Sequence, residues 1–401
     1  MGIKTTVRLM LEKMIGKFGY TMVRNHELEK YRVVIDEHVI PFCEGDFANR
    51  KQGQYSVGWI IPPPGKGSGG HMTLFRTIRI LSDLGLHHKV YICDGGSGDS
   101  SVDWRVAVRE FYGVDLGNNE IYPSVADLTY TDAIVATSWY TAYVARNFNN
   151  CVSKFYFVQD FEPYFFARGS EYFLAENTYR FGFRGITAGN WLAEKLHDEY
   201  GMETLPFFFS YDRKIHQAKK KEDTVNRIFC YARPNTERRA FEMAVLALEA
   251  LARRIPDLEV VFAGQELHGY QFAFSYKDMG ILKIEELSGV YSQCDMCLVL
   301  SMTNLSLLPM EIMASGSVVV SNRGDNNSWM LNDENAILVE TDPLRMAETM
   351  AYYLEHKEEL ERRRKIGLEY VKQFTWEEEI KKVYGFVVKS IETDMEKISK
   401  H

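Results

Sequence analysis

The sequence predicts an α/β protein of two successive doubly wound domains that face each other across a cleft. Three observations carry that reading. Short apolar runs bounded by turn residues alternate with segments of helical periodicity, the rhythm of a parallel sheet covered on both faces. The rhythm stops at SYDRKIHQAKKKEDTVN (210–226), a polar, charged stretch with no core pattern. It then restarts and runs on through the second half. A length of 401 residues suits two or three domains at about 150 residues each. The division falls into residues 1–209 and residues 210–375, with ligands expected outside the carboxyl ends of the strands.

Each element follows from its residues. YSVGWIIP (55–62) is a buried strand, MTLFRTIRILSDLG (72–85) a helix that stops at Gly85, and HKVYICD (88–94) a second strand. AIVATSW (133–139), KFYFVQD (154–160), RGITAG (184–189) and LPFFF (205–209) are short apolar runs, separated by helices such as WLAEKLHDEYG (191–201). After the polar segment come the strand RIFCYAR (227–233), the helix RRAFEMAVLALEALARRI (238–255) and the strands LEVVFAG (258–264) and CDMCLVLS (294–301). The helix PMEIMASG (309–316) and the strand SVVVSN (317–322) follow. Residues 343–373 are a charged helical region in which the run Arg362 to Arg364 reads as a solvated face.

Composition narrows the function. The chain is 46% hydrophobic and 25% charged, a globular balance. Asp and Glu outnumber Lys and Arg by 55 to 47, net −8, and the excess is spread over both halves. A nucleic-acid partner would call for a basic domain, so none is expected. An anionic ligand must instead be met by local groups. The six cysteines offer one close pair, Cys294 and Cys297, inside an apolar strand and without the partners a zinc site needs. That pair reads as buried thiols, and the cysteine usage as a whole as that of a reducing cytoplasm.

The start lacks a secretory pattern, and no run of about 18 apolar residues occurs. Val7, Met10, Leu11, Met14, Ile15 and Phe18 nevertheless form one helical stripe flanked by Arg8, Lys13 and Lys17. Such a helix suits the inner face of an anionic membrane, or docking on protein.

Two segments carry phosphate chemistry. Pro62-Pro63-Pro64-Gly65-Lys66-Gly67-Ser68-Gly69-Gly70-His71 joins the first strand to the first helix. Glycines let backbone amides approach a phosphate, and a helix N-terminus favours negative charge. Gly65, Gly67 and Gly70, with Asp94 after the next strand, also fit a dinucleotide fingerprint. That reading makes the protein an NAD-dependent oxidoreductase, although three prolines separate the strand from the turn. In the second domain, Arg233 at a strand end and Arg238 at a helix start offer two guanidiniums to a diphosphate. Pro309 suits a first helical position and Gly316 its stop.

These second-domain motifs resemble the GT-B glycosyltransferases of the large retaining family 4 group. Ala232-Arg233 and Arg238 correspond to that family's G-R-x-x-x-x-K-G segment, and Thr303 through Glu311 to its E-x7-E segment. DENAILVETDP (333–343) and Phe374-Thr375-Trp376 also fit. In the first domain VATSWYTAYVAR, FYFVQDFEPYFF and YRFGFRGITAGNWLAEKL resemble bacterial surface-glycan rhamnosyltransferases of the WsaF type.

The resemblance implies a GT-B fold whose last helix, 376–401, crosses back to the first domain. It implies a sugar transferase, with a dTDP-sugar such as dTDP-β-L-rhamnose as donor and no cofactor. The acceptor is a glycan or lipid-linked oligosaccharide, and a homodimer is left open. Gly69, Gly70, His71, Arg233, Arg238, Thr303, Leu307, Leu308 and Glu311 are assigned to the donor. Arg233 and Arg238 also stabilise the leaving diphosphate. Glu311 would accept from the sugar hydroxyls of the nucleoside, and Lys283 and Glu285 stand near the base or are surface charges. Asp160 and Glu162 would face the cleft and orient or deprotonate the acceptor hydroxyl. Their i, i+2 spacing also admits Mg²⁺ or Mn²⁺, though no metal is assigned. Thr303 stands where the family usually has a Glu that contacts the donor sugar, so a non-catalytic glycan-binding protein is a further alternative. Arg238 in place of lysine keeps the charge.

Overall fold

Seven strands form the first sheet: β1 (Ser56–Ile61), β2 (His87–Ile92), β3 (Glu120–Tyr122), β4 (Thr131–Ala136), β5 (Cys151–Val158), β6 (Arg184–Ala188) and β7 (Thr204–Phe207). They lie in the order β3-β2-β1-β4-β5-β6-β7, and every pairing is parallel. Six more form the second: β8 (Arg227–Tyr231), β9 (Glu259–Ala263), β10 (Ser275–Asp278), β11 (Met296–Leu298), β12 (Val318–Asn322) and β13 (Ile337–Val339). Their order is β10-β9-β8-β11-β12-β13, again all parallel. This computed structural model describes residues 28, 30–93 and 102–400. The basic stripe from Val7 to Phe18 and the fingerprint residue Asp94 lie outside the described residues.

The central strands are apolar because helices cover them on both faces. In β1, Val57, Trp59, Ile60 and Ile61 are all buried, with Trp59 in register between Val90 and Val135. The cysteines of the second sheet behave as buried thiols: Cys294 and Cys297 are enclosed, and burial pushes Cys294 up to about 12.

Two elements differ from the sequence reading. The helix expected over 238–255 runs only from Phe241 to Ala252. Glu237–Arg239 form a separate 3-10 turn, and Ala240 turns through a left-handed φ of 46°. Tertiary contact overrides propensity there, because the Arg238 carbonyl accepts from the Met302 amide at 2.9 Å. Of the run Arg362 to Arg364, Arg363 is buried rather than solvated, bonded to the Ala336 carbonyl and to Glu359.

The last helix, Trp376–Ile398, packs on the helix Gly69–Asp83 and on β4, β5 and β7, so the chain returns to the first sheet. Thr375 caps it by accepting from the Glu378 amide, and three glutamates in its first turn suit the helix dipole. Its buried face includes Ile380, Val383, Val387 and Ile391, each stabilising by about 1.5–3 kcal/mol. Arg184 clamps the far end through Asp394 at 2.6 Å. Where the chain passes between sheets, Phe208 and Phe209 pack on Trp329 at ring distances of 5.7 and 5.8 Å. Gly189 is required beside them: its φ is 83°, and a Cβ would lie 2.5 Å from the Trp329 ring.

Candidate active site

The carboxyl ends of β5 and β11 meet across the cleft. Asp160 follows β5 by two residues, and the loop after β11 brings Thr303 and Asn304 to it. Thr303 Oγ1 donates to Asp160 Oδ2 at 2.7 Å, and the Asn304 amide donates to Oδ1 at 2.7 Å. Arg238 Nε stands 3.8 Å from the same carboxylate. Burial pushes the Asp160 carboxyl above its ordinary range, against the hydrogen bonds from Asn304 and Thr303 and the nearby Arg239 and Arg238.

The Asn304 side chain also ties the two halves of this contact together. Its Nδ2 donates to the carbonyls of Gln159 and Ala188, both at 2.9 Å, and its Oδ1 accepts from Trp329 Nε1 at 3.0 Å. A buried side-chain amide with its groups paired specifies one arrangement of the surrounding chain.

Three arginines converge on the second-domain side. The Arg238 guanidinium stacks over the Phe165 ring at 4.2 Å. Arg239 Nη1 donates to Ser301 Oγ at 2.7 Å, and burial lowers its proton affinity, only partly opposed by Asp160. Arg233 lies beside the Gly264 carbonyl at 3.4 Å and over Tyr231 at 6.0 Å.

The glycine loop reaches the same region from the other side. Ser68 caps the helix Gly69–Asp83 by accepting from the His71 amide. A Cβ on Gly70 would press on the Gln159 side chain at 3.4 Å, and Gln159 Nε2 donates to the Gly70 carbonyl at 3.0 Å. Gly69 has open space around it. His71 is held inside the loop: Nε2 meets the Pro62 carbonyl at 3.2 Å and Nδ1 meets Ser68 Oγ at 2.9 Å. A carbonyl only accepts, so Nε2 carries the proton, and burial holds the ring neutral. The dinucleotide geometry is not met. Gly65 stands four residues past the end of β1, and the helix begins only at Gly69.

Glu162 departs from expectation. It does not face the cleft: Oε2 accepts from the Trp139 amide at 2.9 Å, and Oε1 from the Tyr156 hydroxyl at 2.6 Å. It thus sits at the N-terminus of the helix Trp139–Asn147, in its own domain's interior. Burial pushes its carboxyl up to about 7. Asp160 and Glu162 point to different partners, so the paired cation site is not formed by them. Among the described residues no group of three His, Cys, Asp or Glu is arranged to hold a metal ion.

Leu307 precedes the short helix Leu308–Ala314, and both leucines are half-buried against the core. Glu311, in its first turn, has an oxygen 3.5 Å from Nε2 of the buried His216. Lys283 and Glu285 are exposed. The structure therefore groups Asp160, Arg238, Thr303 and, through Gln159, Gly70. Arg233 stands further along the same side, close enough to Arg239 to lower its proton affinity, and Glu311 faces His216 instead. Sequence reasoning missed Asn304, Arg239 and Arg76. The first two adjoin residues already singled out, and adjacency was the available signal. Arg76 lies mid-helix on Gly69–Asp83, stacked on Trp376 at 4.8 Å, with Nη1 buried and unpartnered.

Two family matches bear on this arrangement. Residues 116–190 match the WsaF N-terminal domain and residues 226–351 the WsaF C-terminal domain. The chain belongs to the WsaF family of GT-B glycosyltransferases. This WsaF-family chain is 34% identical over 299 residues to the O-antigen biosynthesis protein RfbC of Myxococcus xanthus. That match covers 71% of the chain but only 23% of RfbC. In fold it is similar to sucrose-phosphate synthase from Thermosynechococcus elongatus, with TM-score 0.64, 13% identity and coverage of 84% and 98% of the two chains. It is also similar to HepE from Anabaena in complex with UDP and glucose, with TM-score 0.60, 13% identity and coverage of 86% and 100%. Membership of the WsaF family removes the oxidoreductase reading. No described helix is long and apolar enough to cross a membrane.

Proposed function

We propose that this chain transfers L-rhamnose with retention from dTDP-β-L-rhamnose to a growing surface glycan, at the cytoplasmic face of the membrane. The observation that carries the transferase reading is the meeting of Asp160 with Thr303, Asn304 and Arg238 across the cleft. Opposite charges from the two domains converge where sugar, leaving group and acceptor would share one space. The sugar and base rest on the first-domain resemblance.

In the reaction, the bond from the sugar's anomeric carbon to the diphosphate oxygen breaks with its electron pair on the leaving group. A bond to the acceptor oxygen forms on the same face, and the acceptor proton passes to the departing diphosphate. Arg233 and Arg238 stabilise the charge that develops there, fixed in place before the reaction begins. Asp160 orients the acceptor hydroxyl once donor binding parts it from Thr303. Glu311 accepts from a hydroxyl of the nucleoside sugar. Calorimetric titration with dTDP-rhamnose tests the assignment. Removing one charge-assisted contact in Arg238→Ala is expected to weaken binding about 10- to 100-fold. Unchanged affinity in both Arg233→Ala and Arg238→Ala would sink the diphosphate role. Donor binding with no turnover on any acceptor would favour a non-catalytic glycan-binding protein.

A further inference from the structure

A cavity of about 750 Å³ opens between the domains beside Arg238. One wall is the aromatic run Tyr164, Phe165 and Phe166 of the first domain; the other is Asn235, Thr236 and Arg238 of the second. We propose that this cavity is a carbohydrate subsite that holds the acceptor glycan by stacking on the aromatic wall.

The wall is braced by residues that precede it in the sequence. Glu162 and Pro163 are buried and start the 3-10 turn Glu162–Phe165, with Glu162 tied to Trp139 and Tyr156. The turn therefore projects the aromatics that follow it. Tyr164 is 43% exposed, braced edge-on against Phe161 at 4.7 Å. Phe165 lies under the Arg238 guanidinium at 4.2 Å, which ties the wall to the charged centre. Tyr31 adds one more ring and Ala167 and Gly169 a small apolar edge; the rest of the lining is polar, and its charges are Glu171, Glu237 and Arg238.

That mixture selects the ligand class. A pyranose has an apolar C–H face that stacks on an aromatic ring and a rim of hydroxyls that bond amides, hydroxyls and carboxylates. A polyprenyl chain would need a continuous apolar lining. A polyanion would meet two carboxylates and one guanidinium. The volume lies inside the roughly 300–1,000 Å³ of small-molecule sites. Arg238 lines the cavity and also stands 3.8 Å from Asp160, so a glycan held here ends at the proposed reacting centre.

The inference rests on the glycosyltransferase reading, and the test separates the two. The full chain is studied by saturation-transfer NMR with three soluble trisaccharides, containing rhamnose, mannose or N-acetylglucosamine. At least one is expected to receive saturation from aromatic protons and to bind about tenfold more weakly to Tyr164→Ala. Tyr164 is partly solvent-exposed, so this variant is expected to fold, and Asn235→Ala provides a second probe on the opposite wall. Absence of saturation on all three saccharides overturns the subsite. So does binding that neither variant weakens. Nucleotide-sugar binding is titrated on the same samples, and its absence would count against the transferase reading alone.

Discussion

Replacing Glu162 by glutamine is expected to flatten the decline of folding stability with rising pH. Burial pushes this carboxyl from an ordinary 4.5 up to about 7. The folded chain therefore binds the proton more tightly than the unfolded chain. Between these values the folded state keeps a proton that the unfolded state has released. The resulting stabilisation is fully present below about pH 4.5 and is lost as pH rises through about 7. A shift of this size corresponds to roughly 3 kcal/mol. The bonds from Tyr156 and the Trp139 amide favour the charged form, but the burial cost exceeds them.

Glutamine retains one acceptor oxygen, which the Trp139 amide requires. The Tyr156 hydroxyl can rotate to accept from the new amide nitrogen. The substitution thus removes the titration while preserving both contacts. Urea denaturation followed by circular dichroism gives the stability of wild type and Glu162→Gln from pH 5 to pH 8. The variant should gain on wild type by roughly 2–3 kcal/mol across that range. A difference that stays constant with pH would refute the reasoning.

Further outcomes follow from other contacts. Asn304→Asp removes the two donations to the Gln159 and Ala188 carbonyls and sets a carboxylate against them, so thermal denaturation near neutral pH should register a loss of about 3–5 kcal/mol. Gly189→Ala forces a left-handed backbone and a clash with Trp329, costing about 1–3 kcal/mol, and an unshifted melting temperature would contradict this. Burial raises the Asp394 carboxyl, but hydrogen bonds from Arg184, Lys397 and Ser153 outweigh it and hold it at about 2. Its stabilisation is present above about pH 3.8 and is lost as pH falls through about 2. After solvent screening, Asp394→Asn should cost roughly 1–2 kcal/mol at pH 7 in chemical denaturation.

The fold was readable because buried parallel strands announce themselves as unbroken apolar runs. SVGWII falls inside the run read as a strand from the sequence, and KFYFV does too, although β5 begins three residues earlier, at Cys151, and ends at Val158. The cleft was less readable, since its geometry depends on which way side chains turn after a strand ends. Asp160 and Glu162 share a motif and look equivalent. One residue of separation and a following proline send one across the cleft and the other into the interior. Likewise, ERRAFEM carries helix-forming residues throughout, yet the Met302 amide takes the Arg238 carbonyl and the helix starts later. Asn304 had no local signal beyond its neighbour. Its partners come from β6, the residues after β5 and the segment around Trp329, which only the folded chain assembles.

Thr303 acquires a reason once Asp160 is seen beside it. The position usually holds a glutamate in the glycosyltransferases this chain resembles, and here its hydroxyl donates to a buried carboxylate at 2.7 Å. A second carboxylate in that place could not ionise beside the first without a steep cost. Thr303 and Asp160 are therefore a coupled pair, and changing one alters what the other position tolerates. Thr303→Glu should weaken the contact between domains and lower the melting temperature. Adding Asp160→Asn should recover much of that loss, because an amide can donate to the new glutamate. Residues in contact commonly show coupling of about 0.5–3 kcal/mol in such a double-mutant cycle. If Thr303→Glu costs the same in the Asp160→Asn background as in the native one, the two positions are independent. The threonine would then have to be explained by the donor sugar alone.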